Sequence, residues 1–199
     1  TYGEQPEDDL WAEQPVLHSD GVEFTARYGQ ESAHLRLGIP GKFTVYNALG
    51  VLGAAIALGV PLDAAVRALE TAKGVKGRVE VVPTPGTDYT ILIDYAHAPD
   101  GLENVLSSVR GFCKGRLISV FGCGGDRDNT KRPIMGEIGA RLSDIAIITS
   151  DNPRTEEPMK IIDMILAGIP DQSNCLVEEN RRKAIRMAMD MAQKDDIIV

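Results

Sequence analysis

The spacing of apolar residues changes character once along this chain, near residue 78. Ahead of it, short alternating patterns such as VEFTARY (22–28) and HLRL (34–37) place an apolar side chain at every second position. A period of two suits small, half-buried strands, expected here as the tail of a sheet begun upstream. After a turn at 38–41, residues 45–58 are apolar on nearly every side, which predicts a helix buried between layers with Asn47 as its one amide. Pro61 then opens a second helix, with Leu62, Ala65, Val66 and Leu69 on one face and Gly74 as its stop. Residues 74–78 form the candidate domain junction, with Gly74 and Gly77 as candidate hinge positions.

From residue 79 onward strand and helix patterns alternate, the mark of a doubly wound sheet. Strands are predicted at 90–94, 117–121 and 145–149, with a last one starting near Asp196. Between them lie apolar residues at helical spacing: Leu102, Val105, Leu106 and Val109; Ile134, Ile138 and Leu142; Ile161, Ile162, Ile165 and Leu166; Ala184, Ile185, Ala188 and Met189. Prolines at 99, 133 and 158 open three of these helices. The expected fold is α/β: a C-terminal, Rossmann-like, doubly wound and mostly parallel sheet over 78–199, preceded over 1–77 by the tail of another α/β domain. The chain stops at Ile197-Ile198-Val199, inside an apparent strand, and is expected to continue.

Composition narrows the class. The 199 residues, 43% hydrophobic, suffice for one large domain or for one domain and part of another. No apolar run approaches the roughly 18 residues of a spanning helix, and TYGEQPEDDL is acidic where a secretory signal is basic and then apolar. A cytoplasmic protein without membrane insertion is expected. The net charge of -8 disfavours nucleic acid as a partner. Cys113, Cys123 and Cys175 are odd in number and lack CxxC spacing, so they encode neither a disulfide framework nor a zinc cage; no metal site is expected among these residues.

In open parallel sheets ligands bind beyond the carboxyl ends of the strands, where loops converge and helix N-termini point at one crevice. Three loops therefore carry the candidate chemistry: DYAHAPD (94–100), GCGGDRD (122–128) and SDNPR (150–154). Asp94, directly after a strand, stands where a carboxylate can accept ribose hydroxyls, and His97 follows three residues on; capping of the next helix and filling of a surface groove explain the same pair. The glycine-rich loop admits close backbone approach to a ligand, yet it is neither the dinucleotide fingerprint nor GxxxxGK[ST]. Its Arg127 lies between two aspartates that can hold a guanidinium in one orientation for a ligand carboxylate, or else it belongs to a solvated charge run. Asp151, Asn152 and Arg154 around a proline can meet both ends of a zwitterion; an Asx turn before the helix at Pro158, with Glu156 and Glu157 complementing its dipole, is the alternative.

Taken together, DYAHAPDGLENVL, VFGCGGDRDNTKRP and SDNPRTEEP, in this order and spacing, resemble the Mur ligase family. Upstream, GKFTVYNALG and VKGRVE are similar to the end of that family's central ATP-binding domain and its hinge into the last domain. The resemblance is good over roughly residues 38–170. It implies an ATP-dependent, amide-forming ligase of peptidoglycan synthesis in which ATP phosphorylates an acyl carboxylate and an incoming amine displaces the phosphate. By the same resemblance Asn47, Arg78 and Asp94 would border ATP with His97 beside them, while Arg127, Asp151, Asn152 and Arg154 would hold the added amino acid. A DNPR loop resembles the meso-diaminopimelate version, so the implied substrates are that amino acid and a UDP-linked muramoyl dipeptide, with Mg2+ accompanying ATP. No protein partner is implied.

The departures bear on activity. The family's phosphate loop, magnesium ligands and modified lysine belong to a region expected before residue 1, and a lysine-glycine-histidine segment would follow Val199. These residues alone are therefore expected to be inactive, with no catalytic residue among them. Thr44 stands where relatives often carry asparagine. Two other readings stay open: a relative that adds lysine or another amine, and a non-catalytic binding module on a degenerate ligase fold. A phosphotransfer receiver using Asp94 is weaker, because the acidic cluster and lysine it needs are not apparent.

Overall fold

The alternation near the N-terminus produces strands. In the computed structural model, which describes residues 1–199, β1 (Tyr2–Gly3), β2 (Leu10–His18), β3 (Gly21–Tyr28) and β4 (Glu31–Leu37) form one sheet in that order. β1 runs parallel to β2, and the other pairs are antiparallel. The register sets Val22 opposite Leu37 and Phe24 opposite Leu35. All four side chains are buried, and with Leu10 and Ala12 they make one apolar face. On that face pack α1 (Lys42–Ala57) through Val45, Ala48, Leu49 and Leu52, and α2 (Leu62–Leu69) through Leu62, Ala65 and Val66.

Within residues 1–199 one side of α1 is covered. Its buried residues lie at i, i+3, i+4 and i+7, the stripe that one sheet can cover, and Phe43, Tyr46 and Val51 on its remaining surface are exposed. Asn47 shares the exposed side. α2 ends at Leu69, ahead of Gly74, and Pro61 immediately precedes its first residue rather than entering it. The chain divides into two compact units, Thr1–Val81 and Val82–Val199.

The second sheet consists of β5 (Glu80–Val82), β6 (Thr90–Ile93), β10 (Ile197–Ile198), β7 (Leu117–Phe121), β8 (Ile145–Ile148) and β9 (Cys175–Val177), in that spatial order. β6, β10, β7, β8 and β9 are mutually parallel. The last strand is thus an inner one: Ile198 pairs with Ile91 on one side and Ile118 on the other. Side-chain alternation along β7 then distributes the helices. Ile118, with Ile147 and Ile198, packs under Ala184 and Ala188 of α6 (Arg181–Met191). Phe121, of opposite parity, lies against Gly139 of α4 (Lys131–Leu142), where a methyl group would collide with its ring. α4 is flanked by α3 (Pro99–Arg110) and α5 (Pro158–Leu166), completing a layer opposite α6. This is the doubly wound α/β arrangement that the pattern predicts.

Differences from the predicted elements are small and physical. Pro133 is the third residue of α4 rather than the first, a place where a missing N–H is equally harmless because the first four helical amides have no partner within the helix. β5 and β9 were not foreseen: three residues at a sheet edge are too few to show a period. The inner strand is pinned by Asp196, whose buried carboxylate accepts from Arg116 N at 2.6 Å, Arg116 Nη2 at 2.6 Å and Gln193 N at 2.8 Å. Burial pushes that carboxyl up, but the Arg116 guanidinium and the backbone amides outweigh it and hold the group below the ordinary carboxylate range. No helix is long and apolar enough to cross a membrane.

Ile147, fully buried between α6 and the opposite layer, should be the costliest kind of position to truncate. Ile147→Ala is expected to destabilise the second unit by about 2–5 kcal/mol, measured from the urea midpoint by circular dichroism.

Candidate functional site

Because β6, β7 and β8 are parallel, the loops beyond Ile93, Phe121 and Ile148 leave one rim of the sheet. β10 intervenes between β6 and β7, so the first loop stands two strand spacings, roughly 10 Å, from the second. The second and third loops are neighbours, and they are stitched together. Thr149 N donates to Phe121 O at 2.9 Å, Gly125 N to Asn152 O at 3.1 Å and Thr155 Oγ1 to Asp126 Oδ1 at 2.7 Å. A side chain at Gly125 would overlap the Pro153 carbonyl, so this approach requires glycine.

Arg132, in the first turn of α4, is the anchor of this contact, and its side chain is fully buried. Its Nη1 and Nη2 donate to the two oxygens of Glu156 at 2.9 and 2.8 Å, and Nη2 also donates to Gly124 O at 3.2 Å. Glu156 in turn accepts from Asp126 N at 2.6 Å. Arg132 and this amide hold the Glu156 carboxyl at about 2, far below its ordinary 4.5. Around these bonds the backbone is turned tightly: Asp126, Asn152 and Arg154 adopt φ of 52°, 46° and 53°.

The turn brings the side chains of Arg127 and Arg154 to the same glycine. A methyl group built on Gly124 would lie 3.4 Å from Arg154 Nη1, 3.8 Å from Arg127 Cγ and 4.0 Å from Asp151 O. Both arginines are exposed. Arg154 donates to the Gly125 carbonyl and pairs with no carboxylate, and Arg127 has neither a hydrogen bond nor an ion pair. Asp151 Oδ1 accepts from Asn152 Nδ2 at 3.1 Å and faces Arg181 Nη1 at 3.9 Å. The third loop therefore presents an acid, an amide and a cation side by side.

Two sequence expectations need correction at this rim. The aspartates flanking Arg127 do not orient it: Asp126 is taken by Thr155 and Asp128 by Thr130 N at 2.9 Å and Oγ1 at 2.7 Å. Nearby backbone and hydroxyl donors satisfy both carboxylates, which leaves the guanidinium outward. Likewise Glu156 serves no helix dipole, since its oxygens are turned back to Arg132.

In the first loop, Asp94 Oδ1 accepts from Ala96 N at 2.8 Å, a local turn rather than a cap, for α3 has no side-chain cap. His97 is exposed; its Nδ1 lies 3.1 Å from Tyr95 O and its ring centroid 4.8 Å from that of Tyr95. Lys131 Nζ reaches the His97 carbonyl at 2.5 Å and ties this loop to the start of α4. Asn47 and Arg78 belong to the first unit: Asn47 is exposed on α1, and Arg78 is exposed in a turn whose N–H donates to Val75 O at 3.0 Å.

Sequence reasoning passed over Lys131, Arg132 and Arg181, and it gave Glu156 a different role. A signal existed for Arg132, which shares the inward stripe of Met135, Gly136 and Gly139 at helical spacing. No signal marked the others. Cys123 is also inward, beside Met135 Sδ at 3.7 Å, and burial pushes its thiol up to about 11, so it stays protonated. No group of three or more His, Cys, Asp or Glu side chains is arranged to hold a metal ion.

An open parallel sheet with this rim of loops is the architecture of the Mur ligases, and the chain belongs to that family: the Mur ligase, glutamate ligase domain matches residues 77–199. Over its full length it is 54% identical to the UDP-N-acetylmuramoyl-L-alanyl-D-glutamate--2,6-diaminopimelate ligase of Clostridium botulinum and 46% identical to the protein of that name from Gloeobacter violaceus. It spans 41% of the length of each of these relatives. A solved structure of a UDP-N-acetylmuramoyl-L-alanyl-D-glutamate--2,6-diaminopimelate ligase superposes with a TM-score of 0.81 at 35% identity, covering 100% of this chain and 41% of that one. Folylpolyglutamate synthase of Thermotoga maritima, at 23% identity and a TM-score of 0.71, shares the fold, with 96% of this chain and 44% of that one covered.

The depressed Glu156 carboxyl has a defined consequence for pH. Its pairing stabilises the loops fully above 4.5, the ordinary value, and the contribution is lost as pH falls through about 2. The stability difference between the natural protein and Glu156→Gln is therefore expected to stay constant from pH 5 to 8 and to shrink between 4.5 and 2, read from urea midpoints at each pH.

Proposed function

We propose that this chain is the amino-acid-binding and nucleotide-adjacent part of an ATP-dependent ligase that adds meso-2,6-diaminopimelate to UDP-N-acetylmuramoyl-L-alanyl-D-glutamate in peptidoglycan synthesis. In this reading residues 1–77 are the C-terminal part of the central ATP-binding domain and 78–199 belong to the amino-acid-binding domain. The observation that carries it is the convergence of Arg127 and Arg154 over Gly124 with no carboxylate partner on either, beside the acid and amide of Asp151 and Asn152. The names of the similar ligases support the choice of substrate.

Diaminopimelate carries a carboxylate and an ammonium at each end. Arg127 and Arg154 would take carboxylate, and Asp151, oriented by the Asn152 amide, would take an ammonium. Each charge-assisted hydrogen bond is worth about 1.5–3 kcal/mol. Lysine lacks the second carboxylate and would leave one guanidinium unmatched, which discriminates against it. ATP, when bound, would supply the phosphoryl group that activates the acyl carboxylate, so that the incoming amine forms the amide and phosphate leaves. The residues proposed to border ATP are Asn47, Arg78, Asp94 and His97; those on the first loop fit the role by standing at the strand-end rim. For Mg2+ the fit fails within these residues, which offer no three-ligand cluster. Its ligands are proposed to lie outside them, together with the phosphate loop and the catalytic groups.

Calorimetric titration of diaminopimelate and of lysine into the natural protein and Arg154→Ala tests the reading. The natural protein is expected to prefer diaminopimelate, and the variant to lose roughly 10- to 150-fold in its affinity while binding lysine unchanged. Equal binding of the two amino acids by the natural protein would sink the assignment.

A further inference from the structure

Neither arginine of the amino-acid site has a carboxylate of its own to hold it, so their separation is set by the backbones of the two loops that carry them. Those loops are joined by the Gly125–Asn152, Arg154–Gly125 and Asp126–Thr155 hydrogen bonds, and beneath these by a circuit centred on one buried group. Arg132 holds Gly124 O on the second loop and both oxygens of Glu156 on the third, and Glu156 closes the circuit by accepting from Asp126 N. Gly124 and Asp126 lie three residues and one residue before Arg127, and Glu156 lies two residues past Arg154. The cation is withdrawn from water to do this, with Nε left unpartnered. A planar fork with several donors can address a carbonyl and a bidentate carboxylate together, which a lysine ammonium on one stem cannot. Burying an ion pair is a poor route to stability compared with apolar packing, so its use here calls for a positional role.

We propose that Arg132, acting through Glu156 and the Gly124 carbonyl, is a positioning residue that fixes the distance between Arg127 and Arg154 and thereby the site's selectivity for an amino acid with two carboxylates. The selectivity rests on the function proposed above; the fixing of the loops does not. The depressed Glu156 carboxyl accords with a pair that stays charged throughout the neutral range.

The test compares the natural protein with Arg132→Met, with Arg132→Met combined with Glu156→Gln, and with Arg132→Lys. The single Met variant leaves Glu156 without its cation and should lose stability. The double variant removes both charges and should recover a melting temperature near the natural one. Two readouts then separate position from stability. Hydrogen exchange at the Gly125 amide, which bridges to Asn152 O, is expected to speed up about tenfold or more in the double variant while amides within β7 and β8 keep their rates. Diaminopimelate affinity should fall by about tenfold or more with its preference over lysine lost, and Arg132→Lys should fold yet not restore it. A double variant that is stable, protects Gly125 as the natural protein does and keeps the natural preference overturns the proposal. Should the double variant fail to fold, Arg132→Lys decides by the same two readouts. Should the natural protein show no preference for diaminopimelate, the proposed function fails, and Gly125 exchange alone decides whether Arg132 positions the loops.

Discussion

A guanidinium taken entirely out of water must be met by acceptors, and Arg132 is met by a carboxylate from one loop and a carbonyl from its neighbour. That requirement, with the Gly125–Asn152 and Asp126–Thr155 hydrogen bonds, joins the backbones after β7 and β8. Glycine at 125 is then demanded because Pro153 comes too near for a side chain, and left-handed backbone at Asp126, Asn152 and Arg154 completes the fit. The exposed cations of the rim stand on loops that this buried cation helps to join, although its own Nε has no acceptor. The division of labour is economical in charge: of the cations near this rim, Arg132 is spent on structure and Arg127 and Arg154 stay available to a ligand.

Much of the fold was legible because the physics that makes it is periodic. The strand at 117–121 and the helix stripe from Leu102 to Val109 show their alternation or helical spacing over enough residues to declare themselves. β5 and β9 did not, since three half-exposed edge residues carry no period. The even apolar spread of α1 does not show which side the first sheet takes: Val45 and Val51 look alike in sequence, while only the first faces that sheet.

The rim was legible in a different way. Strand-end position picked out the loops bearing Asp94, Arg127 and Asp151, and the coordinates bring the second and third of these together. The partnerships within them were not legible. A carboxylate beside an arginine in sequence suggests a pair, yet Asp126 and Asp128 found nearer hydroxyl and amide donors, and Glu156 found a cation 24 residues away. Long-range pairing of charges depends on which loops the sheet order makes neighbours, and that order places the last strand where no local pattern could anticipate it.

The placement of β10 also bears on how the molecule is made. An inner strand that follows β6 to β9 in the chain leaves β6 and β7 without a common neighbour until Asp196 and Ile197 emerge, so the sheet exists beforehand only as separate halves. Apolar faces such as that of Ile118 stay uncovered meanwhile, a condition that favours aggregation of incomplete chains. Translation that pauses shortly before Asp196 would prolong that exposure, whereas passage beyond it lets one short segment join the two halves and bring Arg116 to its buried carboxylate.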